Sequence, residues 1–220
     1  SIKDKIIKIL IKLTYKFSDK IIAISKELSK DLQKLCKKKV ITIYNPSFDK
    51  KILKFANSKR KSRKTKIILN IARFEKQKNH LMLLESFKNI HNQLDVKLIL
   101  VGYGTEKKKI IEFINRNNLK NKVIIVKDYK NVFKYYKLAD LFVLTSLYEG
   151  FGNVLVEAGI FKIPIISTDC KSGPREILNS GQYGDLVKLG QTDKLSKLIV
   201  KNLKFPNKNK TIKMYNSLNK

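Results

Sequence analysis

The sequence has few of the residues that build disulfide-linked or metal-bound folds. Cys36 and Cys170 are far apart, and together with His80 and His91 they give no cluster with metal-ligand spacing. Two lone cysteines offer no disulfide framework, so a reducing compartment is the simplest interpretation. We therefore expect a cytoplasmic protein without a metal site.

Long apolar runs are missing as well. No stretch approaches the roughly 20 apolar residues of a membrane-spanning helix. The first residues, 1–13, alternate Ile and Leu with Lys and lack a small-residue cleavage site, which disfavours a signal peptide. Hydrophobic residues nevertheless make up 43% of the 220 residues, enough for a globular chain with a sizeable core.

Acidic residues are scarce: 18 Asp and Glu face 48 Lys and Arg, for a net charge of +30. Such a charge suits nucleic acid, an anionic membrane or a polyanionic ligand. However, the lysines are spread along the whole chain, and Ile and Asn are over-used too. We therefore favour a compositional bias over a dedicated nucleic-acid surface. The densest basic run, residues 50–66, holds nine basic residues and no acid.

The first part of the chain, residues 1–47, predicts an amphipathic helix at 2–13, a strand at 20–24, a helix after Ser25 and a strand at 40–43. These elements are too few to close a core. We interpret residues 1–47 as the tail of a larger lobe and residues 48–66 as a basic interlobe linker.

Residues 67–205 predict a second unit in which short apolar strands alternate with helices. The predicted strands are 67–72, 96–101, 123–126, 141–144, 163–167 and 184–187. Nearly all-apolar strands in this pattern indicate an α/β, Rossmann-like, doubly wound parallel sheet. Such sheets bind ligands beyond the carboxyl ends of their strands, so the loops that follow the strands are candidate sites. Residues 206–220 are left as a C-terminal tail.

The loop after the first of these strands contains Arg73 and Lys78. A planar guanidinium and an ammonium at a strand end suit a diphosphate. In so basic a chain, a solvated side chain is the favoured interpretation of either residue when it is considered alone.

The next strand is followed by Gly102, Tyr103 and Gly104, which begin like a dinucleotide fingerprint. Lys107 occupies the third glycine position, and no acidic residue follows at the end of the next strand in the expected role, so NAD binding is disfavoured. A tight turn and a close backbone approach to a ligand remain equally good interpretations.

The segment from Thr145 to Ala158 is the most informative. Glu149 ends a loop, Gly150 and Gly152 permit close backbone approach, and a helix then begins, so the N–H groups of residues 153–155 would face an anion. Glu157 follows about one turn later. Carboxylates suit diols because the ionised group only accepts hydrogen bonds. A loop acid and a first-turn acid are each unremarkable alone, but the combination predicts a sugar-diphosphate site.

The last candidate loop contains Gly173 and Pro174, which we interpret as the start of a helix. Capping of that helix is favoured over a direct ligand role.

Four segments resemble the GT-B-fold retaining glycosyltransferases of family 4, also called glycosyl transferases group 1. They are NIARFEKQKNH from Asn70, LVGYGTE from Leu100, ADLFVLTSLYEGFGNVLVEA from Ala139 and PIISTDCKSGPREIL from Pro164. The acidic pair Glu149 and Glu157 matches the family signature. SDKIIAISKEL from Ser18 and the turn ending at Pro46 are similar to the end of the acceptor-side lobe.

The resemblance implies roles for individual residues. Arg73 and Lys78 would neutralise the donor diphosphate without a metal, Glu149 would contact the transferred sugar, and Glu157 the ribose. Tyr129 would lie beside the base. The remaining implied donor-binding positions are Gly102, Gly150, Phe151, Gly152, Asn153, Val154 and Leu155.

The resemblance also implies a function. The chain would be the donor-binding half of an enzyme that transfers a sugar from a nucleotide-diphosphate sugar, UDP by family frequency, to a glycan or lipid-linked acceptor, with no cofactor. Retention by front-face attack and by a covalent intermediate both stay open. The lysine-rich first helix and basic run suggest peripheral association with anionic membrane.

Two alternatives remain. The first arises because the family's acceptor lobe, with its glycine-rich loop and histidine, has no counterpart here. It is a truncated or degenerate module that binds a nucleotide sugar without turnover. The other, motivated only by charge, is a nucleic-acid-binding protein. It is disfavoured because the aromatic residues fall at core-like positions.

Overall fold

The computed structural model describes residues 2–45, 50–58, 60, 63–127, 131–170 and 172–218. Within them the helices are α1 (Ile2–Thr14), α2 (Lys26–Cys36), α3 (Lys50–Asn57), α4 (His80–Lys88), α5 (Lys107–Arg116), α6 (Phe133–Leu138), α7 (Asn153–Ile160), α8 (Pro174–Ile177), α9 (Thr192–Lys204) and α10 (Lys208–Leu218). The strands are β1 (Ile21–Ala23), β2 (Val40–Thr42), β3 (Lys66–Ile71), β4 (Val96–Val101), β5 (Val123–Val126), β6 (Leu141–Leu144), β7 (Ile165–Thr168) and β8 (Asp185–Val187).

Six strands form one parallel sheet in the order β5-β4-β3-β6-β7-β8. Side chains alternate along β3, so Ile68 enters one hydrophobic core and Leu69 enters the other. Both are fully buried. Burial on both faces explains why these strands are almost wholly apolar, and the predicted doubly wound sheet is confirmed.

The chain reverses its direction of winding at β3. This strand pairs with β4 on one side and with β6 on the other, although β6 comes much later in the sequence. The loops after β3 and β6 therefore diverge to opposite faces and leave a crevice at the carboxyl edge. Open α/β sheets bind their ligands at this switch point.

The N-terminal segment forms a separate two-stranded parallel sheet from β1 and β2. Ile21, Ala23, Cys36 and Val40 make its small core. The predicted helix cap is confirmed, because Ser25 Oγ accepts the Leu28 N–H at 3.3 Å.

The segment assigned to a basic linker contains a helix that the sequence analysis did not predict. In α3, Ile52, Leu53 and Ala56 pack against the second core, beside α6. Their helical spacing was obscured by the surrounding lysines. The tail assigned to residues 206–220 is also helical, since α10 packs on α7 through Met214.

Candidate functional site

A cleft of about 490 Å³ lies at the carboxyl edge of the sheet. Its walls come from the ends of β3 and β4, the loop after β6, the start of α7, and the N-terminal segment. The lining residues are Ile24, Asn45, Ile71, Ala72, Arg73, Gln77, Lys78, Val101, Gly102, Tyr103, Glu149, Gly150, Phe151, Gly152, Asn153 and Val154. Most of the residues singled out in the sequence thus meet in one cleft.

An ion pair lies at the base of this cleft. Lys78 Nζ, in the short 3-10 helix Lys76–Lys78, donates to Glu149 Oε1 at 2.6 Å. Ser146 Oγ donates to the same oxygen, also at 2.6 Å. Glu149 is only 8% exposed, so the pair and the hydroxyl together offset the cost of burying a carboxylate.

Arg73 is exposed at the mouth of the cleft, and no ion pair engages it within the described part of the chain. Its loop is nevertheless held firmly. Phe74 is fully buried, and its N–H donates to the Tyr103 carbonyl at 2.6 Å. Glu75 Oε2 accepts the Thr105 hydroxyl at 2.9 Å. These contacts tie the loop after β3 to the loop after β4.

The same contact explains the two glycines after β4. A Cβ on Gly102 would lie 2.0 Å from the Ala72 carbonyl oxygen, and one on Gly104 would lie 2.5 Å from the Phe74 carbonyl oxygen. Only glycine permits the two loops to approach so closely. Close backbone approach is therefore real at Gly102, but it is approach to the neighbouring loop; a ligand contact there stays a prediction.

The start of α7 opens on the cleft. Asn153 and Val154 line it, and Asn153 Oδ1 is buried without a hydrogen-bond partner among the described residues. The Leu155 N–H instead donates to the Gly152 carbonyl at 2.9 Å, and Leu155 is fully buried. The first turn of the helix thus engages the Leu155 N–H in this structure, and a donor contact at Leu155 stays a prediction.

Glu157 is oriented by a residue that the sequence analysis assigned only to the core. Tyr136 is fully buried, and its hydroxyl donates to Glu157 Oε2 at 2.7 Å and to the Val154 carbonyl at 3.2 Å. Burial raises the pKa of Glu157, while the Tyr136 hydrogen bond acts in the opposite direction. No local pattern marks this role, because the two residues meet only in the folded chain.

The two histidines do not belong to this site. His80 packs edge-on against Phe74, with ring centroids 5.0 Å apart, and is buried. Burial, and then the charge of Lys78, lower its pKa to about 4, so the ring is neutral at physiological pH. The predicted base contact, Tyr129, lies outside the described residues.

The sequence profile of glycosyl transferases group 1 matches residues 51–217. The chain belongs to this family. Across the described residues, no three His, Cys, Asp or Glu side chains are grouped as metal ligands. In the same residues, no helix combines the length and apolarity needed to cross a bilayer.

Relatives of this glycosyltransferase chain include an uncharacterized glycosyltransferase, MJ1059, of Methanocaldococcus jannaschii, 37% identical over 79% of this chain and 45% of the relative. The N-acetylgalactosamine-N,N'-diacetylbacillosaminyl-diphospho-undecaprenol 4-alpha-N-acetylgalactosaminyltransferase of Campylobacter jejuni is 34% identical over 57% of this chain and 34% of its own. The chain thus spans less than half the length of these two relatives.

Among solved structures, a TarM mutant of S. aureus in complex with Fondaparinux, alpha-GlcNAc-glycerol and UDP superposes with a TM-score of 0.79 at 25% identity. The match covers 96% of this chain and 41% of TarM. The GT-B glycosyltransferase fold expected from the sequence is confirmed.

The glycosyltransferase cleft also contains residues that sequence reasoning missed. Ile24 and Asn45 reach it from the N-terminal segment, and Gln77 joins its two sides by donating to the Tyr148 carbonyl at 2.7 Å. Gln77 stands between Arg73 and Lys78, so its position in that loop was the available signal. Ile24 directly follows β1, and Asn45 lies three residues beyond the end of β2, which gave a weaker signal.

Proposed function

We propose that this chain is the donor-binding half of a retaining glycosyltransferase acting in the cytoplasm. It would transfer a sugar from a UDP-sugar to a glycan or lipid-linked acceptor in surface polysaccharide or oligosaccharide synthesis. The observation that carries the proposal is the cleft in which Arg73, the Lys78–Glu149 pair and the start of α7 converge.

The charges of the cleft suit a sugar diphosphate. Arg73 stands exposed at the mouth, where its guanidinium reaches a phosphate without first breaking an ion pair to another described residue. Lys78 lies deeper and already bridges to Glu149. A diphosphate between Arg73 and Lys78 leaves Glu149 free to accept hydrogen bonds from the sugar hydroxyls through Oε2.

Catalysis would come from electrostatic stabilisation of the leaving group. When the anomeric C–O bond breaks, negative charge develops on the nucleoside diphosphate, and the side chains of Arg73 and Lys78 face that charge. We propose that these two cations replace a metal ion. Glu157, held by Tyr136, would accept hydrogen bonds from the ribose hydroxyls.

The relatives support the choice of donor and acceptor. The TarM complex holds UDP, and the name of the Campylobacter relative specifies a lipid diphosphate acceptor and transfer of an N-acetylhexosamine. A non-catalytic nucleotide-sugar-binding module is the second candidate.

A membrane-facing role is proposed for α1. Its apolar side chains Ile6, Ile7, Ile9, Leu10 and Leu13 are each about half exposed, between 51% and 56%. Lysines stand between them in the sequence. A helix of this type lies in the interface of an anionic bilayer, where lysines add electrostatic attraction.

The donor site is tested by calorimetric titration with UDP, GDP and their sugars. We expect saturable binding of UDP or a UDP-sugar, and a loss of about tenfold or more in affinity in Arg73→Ala and in Glu157→Ala, because each loses a charge-assisted hydrogen bond. Arg116→Ala is the matched control, since Arg116 is 78% exposed on α5.

Turnover separates the two candidates. A chain that binds UDP-sugar and slowly hydrolyses or transfers the sugar is half of an enzyme. Tight binding of UDP-sugar without sugar release, whichever acceptor is added, supports the non-catalytic binding module. Equal binding of every nucleotide, unchanged by Arg73→Ala, contradicts the donor site altogether.

A further inference from the structure

A second pocket lies at the amino edge of the same sheet. Its volume is about 290 Å³, near the lower end of the range for small-molecule sites. Lys66 is the first residue of β3, and Asp140 directly precedes β6. Because the strands are parallel, this pocket and the donor cleft lie at opposite ends of β3, roughly 20 Å apart for a six-residue strand.

The pocket is positively charged. Arg60, Arg63, Lys66 and Lys208 line it, and Asp140 is the acidic residue among the lining side chains. Asp140 lies 3.3 Å from Arg60 and 3.6 Å from Arg63. Its Oδ2 also accepts the Ile67 N–H at 2.9 Å. The single carboxylate of Asp140 already interacts with two arginines and a backbone N–H, so it cannot neutralise the four cations.

The two guanidinium groups are held in place. Arg60 Nη2 donates to the Ala139 carbonyl at 2.6 Å, and Arg63 donates to the Leu138 carbonyl, at the end of α6. Arg63 Nε is buried and has no acceptor among the described residues. A buried donor without a partner is unfavourable, and an oxyanion that accepted its hydrogen bond would offset that cost.

Capping of α6 is the simpler explanation of the arginines, because cations are favoured at the C-terminus of a helix. It accounts for the carbonyl contacts but not for the remaining features. Capping requires neither the convergence of Lys66 and Lys208 on the same pocket nor the unpaired Arg63 Nε. Burial lowers the pKa of Arg60; the charge of Asp140 opposes this shift and the smaller effect of Arg63 adds to it.

We propose that this pocket binds a small, multiply charged phosphate anion, such as a diphosphate or a terminal phosphate group. Guanidinium groups supply paired donors for phosphate oxygens, and the two ammonium groups supply point charges. The proposal goes beyond the donor function and does not depend on it, since no pocket residue lines the donor cleft.

The test is calorimetric titration of the chain with inorganic pyrophosphate and inorganic phosphate at physiological salt. We expect pyrophosphate to bind this pocket more tightly than phosphate. In Lys66→Gln/Lys208→Gln its affinity should fall by about tenfold or more. Those two lysines make no contact with the α6 carbonyls, so the variant separates anion binding from helix capping.

Two controls complete the design. Lys197→Gln/Lys201→Gln removes two exposed charges from α9 and should leave the affinity within about twofold, whereas Arg73→Gln should affect only pyrophosphate bound in the donor cleft. The proposal is overturned if the two double lysine variants weaken pyrophosphate binding equally, or if only Arg73→Gln weakens it. It is also overturned if the folded wild-type chain binds no pyrophosphate. UDP binding unchanged by Lys66→Gln/Lys208→Gln keeps this result separate from the donor site.

Discussion

The two acids of the family signature have different surroundings. Glu149 is neutralised by Lys78 and Ser146 inside the cleft. Glu157 has a phenol, Tyr136, on one oxygen, and burial raises its pKa. The first arrangement pairs a carboxylate of low solvent exposure with a cation and a hydroxyl. The second leaves the charge state of Glu157 sensitive to a single hydroxyl.

Tyr136→Phe should therefore weaken both stability and UDP binding. The ring packing against Phe142 and Phe161 is kept, but the buried carboxylate loses its donor, which costs about 1.5–3 kcal/mol. The pKa of Glu157 should rise further. Since a raised carboxyl pKa penalises the ionised form in the folded chain, the stability difference from wild type should be largest above that pKa and shrink on acidification.

Thermal unfolding of Tyr136→Phe and wild type between pH 4.5 and 8 would measure this trend, with UDP affinity followed in parallel. Tyr135→Phe is the matched control, because Tyr135 is its half-buried neighbour. A pH-independent stability difference would mean that the hydroxyl serves packing and not Glu157.

Short elements from the two parts of the chain are joined by carboxylates. Glu176 in α8 accepts the Lys26 N–H, at 3.0 and 3.2 Å, at the start of α2, and it accepts the Tyr44 hydroxyl at 2.6 Å. The N-terminal part supplies a carboxylate in return, because Glu27 in α2 accepts the Ser172 N–H at 2.8 Å. A carboxylate at a helix N-terminus also interacts favourably with the helix dipole.

This junction reaches the cleft through one aromatic contact. The Tyr44 ring lies 5.4 Å from the ring of Phe151, which lines the cleft. Burial, followed by the Glu176 hydrogen bond and charge, raises the pKa of Tyr44 to about 12. A raised tyrosine pKa contributes stability that is present below pH 10 and is lost as the pH rises through about 12.

Glu176→Gln should lower the pKa of Tyr44 part of the way toward 10, because burial, the larger cause, remains. Stability at neutral pH should fall by about 1 kcal/mol, since the junction is partly exposed. NMR titration of ring-labelled tyrosine, with the signal assigned by Tyr44→Phe, reports the pKa directly. Glu112→Gln, which disrupts an exposed pair on α5, should leave Tyr44 unchanged.

At the scale of the whole molecule, the large positive charge is distributed rather than concentrated. It includes the lysines of α1, the cations of the amino-edge pocket and the exposed faces of α5 and α9. Tyr136 and Phe142 are fully buried, whereas Phe17, Tyr148 and Phe205 are exposed, so aromatic side chains lie both in the core and at the surface.

Co-sedimentation with vesicles tests the proposed role of α1. We expect binding to vesicles that contain anionic lipid, and a loss of about 2 kcal/mol in Lys5→Gln/Lys8→Gln, at about 1 kcal/mol for each lysine near the surface. Lys197→Gln/Lys201→Gln on α9 removes the same charge and should have a smaller effect. Equal binding to neutral and anionic vesicles would contradict the proposal.

Local pattern was sufficient for most of the strands and for the main loops. Val96–Val101, Val123–Val126 and Leu141–Leu144 were predicted with the bounds observed, because buried parallel strands are short, nearly continuous apolar runs. The parallel sheet followed from their alternation with helices, and the loops containing Arg73, Glu149 and Gly150 followed from the rule for carboxyl ends.

Only the tertiary structure decided which side chains meet. Lys78 and Glu149 are 71 residues apart, and Tyr44 and Glu176 are 132 apart. The α3 helix was missed because the surrounding lysines obscured the helical spacing of the side chains that pack beside α6. The sequence by itself thus determined the sheet and the cleft loops, since burial and backbone periodicity act locally. Ion pairs and hydrogen bonds between distant segments depend on where the folded chain brings those segments together.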